Sequence, residues 1–449
     1  MSTNFTNNSD SATLGNVKNK TIDAALGNDI LSFSVIEQSL ILGGGGNDTI
    51  TAAQLIDATV DGGTGDDVLS VTSTKNASIL GESGNDRITV GEARTSFISG
   101  GLGRDTMIVN GFIQESTLEG GEDNDVITVK SALQSTVDGG SGDDTLRVSN
   151  MLDSAVLGGA GNDFIAVTDF KNSYVSGGDG NDRLEVFSVR DGGVAGGSGN
   201  DIININTAEN ALLLGEDGDD VFSVRALTNG SLDAGKGNDR LSINGLRNAS
   251  VLGGEGNDTM FFSSAMSAFI SGGQGDDTIE AGDSAGSIFE GNAGNDRITG
   301  GSGNDLIFGG TGNDILNGRG GDDMYFFAVG DGRDQVLDLV GKNSYEFDVT
   351  GATSFNAFLS YDRVRNIMTI NQDNQSSVAI STDADRSNID YVKFIHTGKG
   401  TQFNRAQVNA VVQAIQTFGA REAVINFNAD SNTLQASVNN QLIASSVVA

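Results

Sequence analysis

The sequence predicts an all-β protein, a right-handed parallel β-helix or β-roll solenoid of 19-residue coils, on three observations. A phrase typified by Gly253-Gly254-Glu255-Gly256-Asn257-Asp258 recurs along the chain with its aspartate in register. Apolar residues alternate with polar ones at fixed offsets after each aspartate, the signature of half-buried strands. Glycine is abundant, at 64 of 449 residues, whereas proline is absent. Such a chain is rich in tight turns yet keeps every backbone N–H that a sheet needs.

The repeat aspartates are Asp29, Asp48, Asp67, Asp86, Asp105, Asp125, Asp144, Asp163, Asp182, Asp201, Asp220, Asp239, Asp258, Asp277 and Asp296. Each step is 19 residues, except for 20 between Asp105 and Asp125. The step then falls to 9, giving Asp305, Asp314 and Asp323. A fixed period over most of a chain marks a solenoid, in which each coil is stabilised by its neighbours.

Within one coil, counted from Asp239, Leu241, Ile243, Leu246, Ala249 and Val251 fall at the offsets expected to face inward. From Asp163 the same offsets give Ile165, Val167, Phe170, Ser173 and Val175. The coil therefore reads strand, turn, strand, glycine turn. The register reaches back to Asp10, with Ala12, Leu14, Val17 and Ile22 inward. The expected organisation is a polar N-terminal tail at 1–9, the 19-residue solenoid at 10–295, a nonapeptide stretch with its closing segment at 296–335, and a smaller mixed α+β region at 336–449.

Acidic residues at fixed repeat positions point to a bound cation. Glycine lets carbonyl oxygens converge, and each aspartate adds a hard oxygen beside the aspartate of the next coil. Carbonyls and carboxylates from adjacent turns make the oxygen cage that Ca²⁺ prefers. Turn chemistry alone would tolerate Ser or Asn at the aspartate position, and stacked carboxylates without a counter-ion would repel. Multiple Ca²⁺ sites are therefore expected along the row.

Gly300-Gly301-Ser302-Gly303-Asn304-Asp305-Leu306-Ile307-Phe308 follows the pattern G-G-x-G-x-D-x-U-x, with U large and apolar, and so does Gly309 to Asn317. On these motifs the chain resembles the RTX (repeats-in-toxin) calcium-binding β-roll proteins over about residues 26–350. The resemblance implies that each repeat aspartate, from Asp29 to Asp323, ligates calcium. It also implies export by a type I system through an uncleaved C-terminal signal, with which Leu442-Ile443-Ala444-Ser445-Ser446-Val447-Val448-Ala449 is compatible. A nonapeptide roll has glycine turns on both edges, whereas the 19-residue coil has them on one. Calcium should therefore line one edge from Asp29 to Asp296, and both edges only from Asp296 to Asp323.

On the other edge, Asp57, Asn76, Asp153, Asn172, Asp191, Asn210, Asn229 and Asn248 occupy the turn, residue types that tolerate left-handed backbone. Met324-Tyr325-Phe326-Phe327 should cover the last coil. Residues 343–402 read as short strands, and Gln402–Phe418 as a helix with Asn404 as N-cap and Gly419 as its stop. Strands around Val424–Phe427 and Leu434–Val438 follow.

The formal net charge of -34 excludes nucleic acid and anionic lipid as natural partners. No cysteine is present and no apolar run is long enough to span a bilayer, so neither disulfides nor membrane insertion is expected. The one histidine, His396, has no companions for a catalytic set, and an enzyme is not expected. Ice-binding segments of some RTX adhesins resemble a 19-residue coil with a threonine row three before the aspartate. Here that row reads Leu26, Gly45, Thr64, Ser83, Leu102, Glu122 and onward, too mixed to order water. The expected function is a secreted structural protein that folds on extracellular calcium and assembles with itself into a surface layer, filament or matrix. The alternative is a calcium-dependent adhesin that holds a cell-surface polysaccharide or other glycan.

Overall fold

In the computed structural model, residues 5–348, 356–362, 365–371, 377–382, 386, 388–396, 399–417, 422–428, 433–438 and 441–442 are described. They fall into two compact units, Met1–Arg225 and Ala226–Ala449. The architecture is an all-β parallel solenoid with about 19 residues per coil.

In the first unit each regular coil is two strands, as in Phe164–Lys171 and Tyr174–Asp179. Each strand pairs in parallel with its counterpart one coil on, so that Ile165 meets Leu184 and Val175 meets Val194. Side chains alternate across the strand, which buries Ile165, Val167, Phe170 and Val175 as the spacing predicts. Like residues stack on like along the coils, and each fully buried one contributes about 1.5–3 kcal/mol.

The opposite turn is made by a single left-handed residue. Asp57, Asn76, Asp153, Asn172, Asp191 and Asn210 all have φ between 48° and 52°. Their side chains also bond from coil to coil, Asn172 Nδ2 donating to Asp153 Oδ1 at 3.2 Å and Asn210 Nδ2 to Asp191 Oδ1 at 2.9 Å. The next position carries a buried serine row. The Ser135 N–H donates to Ser154 Oγ at 3.1 Å, and Ser154 Oγ–H donates to the Leu152 carbonyl at 2.8 Å. The serine row thus satisfies polar groups that the turn would otherwise bury unpaired.

The 20-residue step is absorbed in one place. Thr106 to Val109 stay in 19-residue register with Arg87 to Val90, but Ile113 pairs with Ala93, one residue later. The extra residue therefore lies in 110–112, where the strand breaks. A local bulge leaves the buried rows on both sides in line.

The second unit begins with the same coil, Arg240–Arg247 and Ser250–Glu255 pairing in parallel with Thr259–Met266 and Phe269–Gln274. After Asp296 the coils shorten and glycine turns replace the left-handed turn. Here one expectation is corrected: the aromatic segment does not cover the end of the stack. Met324–Ala328 pairs in parallel with Asn343–Asp348, which pairs in turn with Ile389–His396. Arg333–Val336 likewise pairs with Ser377–Ser381. Tyr325 stacks on Tyr345 at 5.3 Å, Phe327 on Phe347 at 5.2 Å, and Phe347 on Phe394 at 5.3 Å. Stacked rings match the ~4.8 Å strand spacing, so these residues sit inside the stack.

Antiparallel strands Asn356–Asp362, Ile367–Asn371 and Glu422–Asn428 branch from this core. The helix Arg405–Thr417 starts at a capping box. The Gln407 N–H donates to Asn404 Oδ1 at 3.1 Å, and the Asn404 N–H to Gln407 Oε1 at 2.9 Å. Strands Glu422–Asn428 and Thr433–Val438 match the expected pair. Gly419 and the terminal segment 443–449 lie outside the described residues.

The alternation makes a direct stability prediction. Leu184 is fully buried and Phe187, three residues on, is 59% exposed. Leu184→Ala should cost about 2–5 kcal/mol in calcium, and Phe187→Ala less than about 0.5 kcal/mol. Denaturant titration of both variants checks this, and equal losses would contradict the assigned faces.

Candidate metal centre

Each rung of the acidic ladder is built from one aspartate that uses its two oxygens differently. Asp163 Oδ1 accepts the Asp144 backbone N–H at 2.8 Å, and the Asp163 N–H donates in turn to Asp182 Oδ1 at 2.7 Å. Asp163 Oδ2 is buried without a hydrogen-bond partner. It converges with the Gly177 carbonyl oxygen on the spot that a Cβ on Gly158 would fill. Gly253 repeats this with Asp258 Oδ2 and the Gly272 carbonyl. At Gly158 and Gly253 a side chain would enter that space, although Ala24 and Ala234 hold the equivalent place before Asp29 and Asp239.

This arrangement fits a calcium ion. A buried carboxylate oxygen left without a donor is costly, and it recurs from Asp29 to Asp201, at Asp258, Asp277 and Asp296, and at Asp314 and Asp323. Hard oxygens of mixed charge from adjacent coils are the donor set Ca²⁺ takes. When bound, the ion supplies the positive charge that the cage lacks. Asparagine could replace only half of the aspartate, because its amide would point N–H₂ groups into that cage.

The electrostatics agree. Burial, opposed by the backbone hydrogen bond and aided by neighbouring aspartates, pushes the Asp67, Asp163 and Asp277 carboxyls up to about 7. Asp125 and Asp314 are pushed to about 8 by the same causes. The residue before each aspartate behaves oppositely. It forms an exposed ladder of reversed polarity, the Asn162 N–H donating to Asp143 Oδ1 at 2.8 Å and the Asn181 N–H to Asn162 Oδ1 at 2.9 Å. The Asn162 backbone N–H holds the Asp143 carboxyl below its usual range.

The structure places the predicted residues as the spacing requires. In the first unit Asp29, Asp48, Asp67, Asp86, Asp105, Asp125, Asp144, Asp163, Asp182, Asp201 and Asp220 are all buried at the glycine turn. In the second unit Asp239, Asp258, Asp277, Asp296 and Asp314 occupy that position on one edge, linked from Asp296 by the Asp296 N–H to Asp314 Oδ1 bond. Asp305 and Asp323 form the other edge, joined by the Asp305 N–H to Asp323 Oδ1 bond at 2.8 Å.

Asp305 differs from the rest. Its Oδ2 accepts from the Ser284 hydroxyl and its Oδ1 from the Ser287 N–H at 3.1 Å, because the preceding coil offers a serine turn there. Asp334 was not among the residues singled out from sequence. It is buried, accepts the Asp314 N–H at 3.1 Å and extends the first edge. Gly330 and Gly332 stand four and two residues before it, a spacing that could have found it.

Stacked glycine turns with a buried, unpaired carboxylate oxygen per coil define a solenoid built around hard cations. The RTX calcium-binding nonapeptide repeat matches in four copies, over residues 40–54, 135–148, 268–285 and 290–325. The chain carries RTX calcium-binding repeats, and these repeats bind Ca²⁺. No curated protein matches it. Among solved structures it is similar to a hyperactive, Ca²⁺-dependent, β-helical antifreeze protein from an Antarctic bacterium, at 25% identity over 58% of this chain and 80% of that one, with a TM-score of 0.47.

The sign of the shifted carboxyls fixes a pH dependence. With chelator present, a carboxyl raised to about 7 from about 3.9 in the unfolded chain favours the fold below that lower value, and the benefit is lost as pH rises through 7. Melting in chelator should therefore occur at lower temperature at about pH 8 than at about pH 5, while calcium affinity falls as pH drops through the same window. A chelated melting temperature that climbs over that range would contradict the burial of these groups. Separately, Asp163→Asn and Gly158→Ala should each remove about 1–3 kcal/mol of calcium-dependent stabilisation, read as the melting shift between calcium and chelator. Unchanged shifts in both variants would remove this cage from the metal sites.

Proposed function

We propose that the protein is a secreted structural element that folds on extracellular calcium and assembles with copies of itself into a surface layer, filament or extracellular matrix. RTX-repeat proteins are typically extracellular, and no described helix is long and apolar enough to cross a membrane. Support comes from one observation above all. The inward positions of the coil make core, and its glycine turn makes cation cages, so the repeat itself is a load-resisting element. A filled ladder stiffens such a coil, and scarce cytosolic calcium would leave it unfolded until export. Type I secretion machinery is the exporting partner on this reading.

An ice-ordering role is not supported by the residues themselves. The row three before each aspartate exposes Leu102, Glu122 and Asp179 among others, which is not uniform.

A second reading, a calcium-dependent adhesin, is favoured by one groove on the opposite turn. It is a shallow, open groove lined by Asp153, Asn172, Asp191 and the exposed ring of Tyr174. Amides and carboxylates beside an aromatic face suit a surface polysaccharide or other glycan.

Electron microscopy of purified protein separates the two. Ordered sheets or filaments with calcium, lost on chelation, support self-assembly. A dispersed calcium-loaded protein that binds cells or glycans, and loses that binding in Tyr174→Ala, would overturn it.

A further inference from the structure

Asp338 is fully buried and stands outside the repeat. It lies five residues before Asn343, the offset that Gly300 holds before Asp305 and Gly318 before Asp323. Asn343 takes over the ladder bond, its Oδ1 accepting the Asp323 N–H at 3.0 Å while its Nδ2 donates to the Val340 carbonyl at 3.0 Å. In this coil, then, the ladder position carries no carboxylate and the glycine position carries one. The Asp338 carbonyl is engaged by Asn388 Nδ2 at 2.9 Å, so what Asp338 has left to offer is its side chain.

That side chain meets a set of buried oxygens. The Tyr325 hydroxyl donates to Asp338 Oδ2 at 2.7 Å and accepts the Gly318 N–H at 2.5 Å, and the Val340 N–H donates to Asp338 Oδ1 at 3.0 Å. A Cβ on Gly318 would meet both Asp323 Oδ2 and the Tyr325 hydroxyl, so these two border one cage. Asp323 Oδ2 is buried without a hydrogen-bond partner. The Tyr345 ring is fully buried and stacked on Tyr325, and its hydroxyl has no hydrogen-bond partner either.

We propose that the Asp323 rung is a divalent-cation site of a donor set different from the other repeat cages, completed by Asp338 and the hydroxyls of Tyr325 and Tyr345, that ties this coil to the roll. The repeat cage pairs one carboxylate with a neighbouring carbonyl. This one brings two carboxylates, a charge that matches a single Ca²⁺, and its remaining donors are neutral hard oxygens. Burial raises the Asp323 carboxyl and the charge of Asp338 adds to it, while burial raises Asp338 with the Tyr325 hydrogen bond opposing. Without a cation the pair must share a proton instead, as facing carboxylates do.

The site shares its metal and Asp323 with the ladder, whereas Asp338, Tyr325 and Tyr345 lie outside it, so the test acts on Asp338. Terbium is a hard oxygen-seeking probe that emits on direct excitation wherever it is bound, and by energy transfer only where a tyrosine adjoins it. The full chain is folded in calcium and exchanged into terbium. Tyrosine-sensitised emission is expected in the parent, from ions that retain at most one water by the lifetime difference between light and heavy water. Asp338→Asn should lose more than half of the sensitised emission while keeping most of the directly excited signal. Asp86→Asn, in the ladder, should keep its sensitised emission. Equal sensitised emission in the parent and a folded Asp338→Asn would overturn the site, and a shared proton would then account for the pair. Should Asp338→Asn fail to fold, the parent decides alone: no sensitised emission, or sensitised ions carrying several waters, overturns the proposal. Absence of directly excited emission would instead count against the ladder.

Discussion

A single carboxylate divided between two tasks underlies the molecule. In Asp163 one oxygen holds the Asp144 N–H of the coil before, and the other faces the Gly177 carbonyl of the coil after. One side chain thus ties three successive coils. The first bond sets register and works with or without metal. The second oxygen is stranded in a dry cage and destabilises the stack until a cation joins it. On the proposed function, that oxygen is what would couple folding to calcium, in every coil but that of Asp305.

From this constraint the rest of the coil follows. Gly158 and Gly253, five before their aspartates, leave the cage open, and Gly254, at φ 118°, passes so close to the Gly235 carbonyl that a side chain would collide with it. The opposite turn carries no such demand and is closed by one left-handed Asn or Asp with a buried serine behind it. Where the step falls to 9 residues, the cage appears on that edge as well. The change is abrupt, because Asp305 still finds Ser284 and Ser287 where a glycine turn would otherwise stand. In a solenoid stability is passed from neighbour to neighbour.

Much of this was legible in the residues. The period placed every repeat aspartate, the alternation at Ile165 and Val167 marked the inner face, and Asn404 marked the start of the helix. What was hidden depended on partners distant in sequence. The reversed ladder through Asp143, Asn162 and Asn181 looks like ordinary turn chemistry until the coils are stacked. Arg104 keeps only the donating half of that row, its backbone N–H bonding to Asn85 Oδ1 at 3.0 Å. Asp334 escaped notice because its step from Asp323 is 11 residues, off both periods. Tyr325 and Phe327 read as a lid because aromatic clusters often end arrays, and only the parallel partners Tyr345 and Phe347 show them to be interior.

The central claim is that the second oxygen of each ladder aspartate and the glycine carbonyl of the following coil share a calcium ion. The most direct measurement is a crystal structure in calcium with an anomalous-difference map. The account predicts peaks between Asp Oδ2 and that carbonyl on one edge of the 19-residue coils, at Asp163 with Gly177 and at Asp258 with Gly272. Ions that instead sit on the exposed row of Asp143 and Asn162, or buried cages that stay empty at saturating calcium, would contradict it.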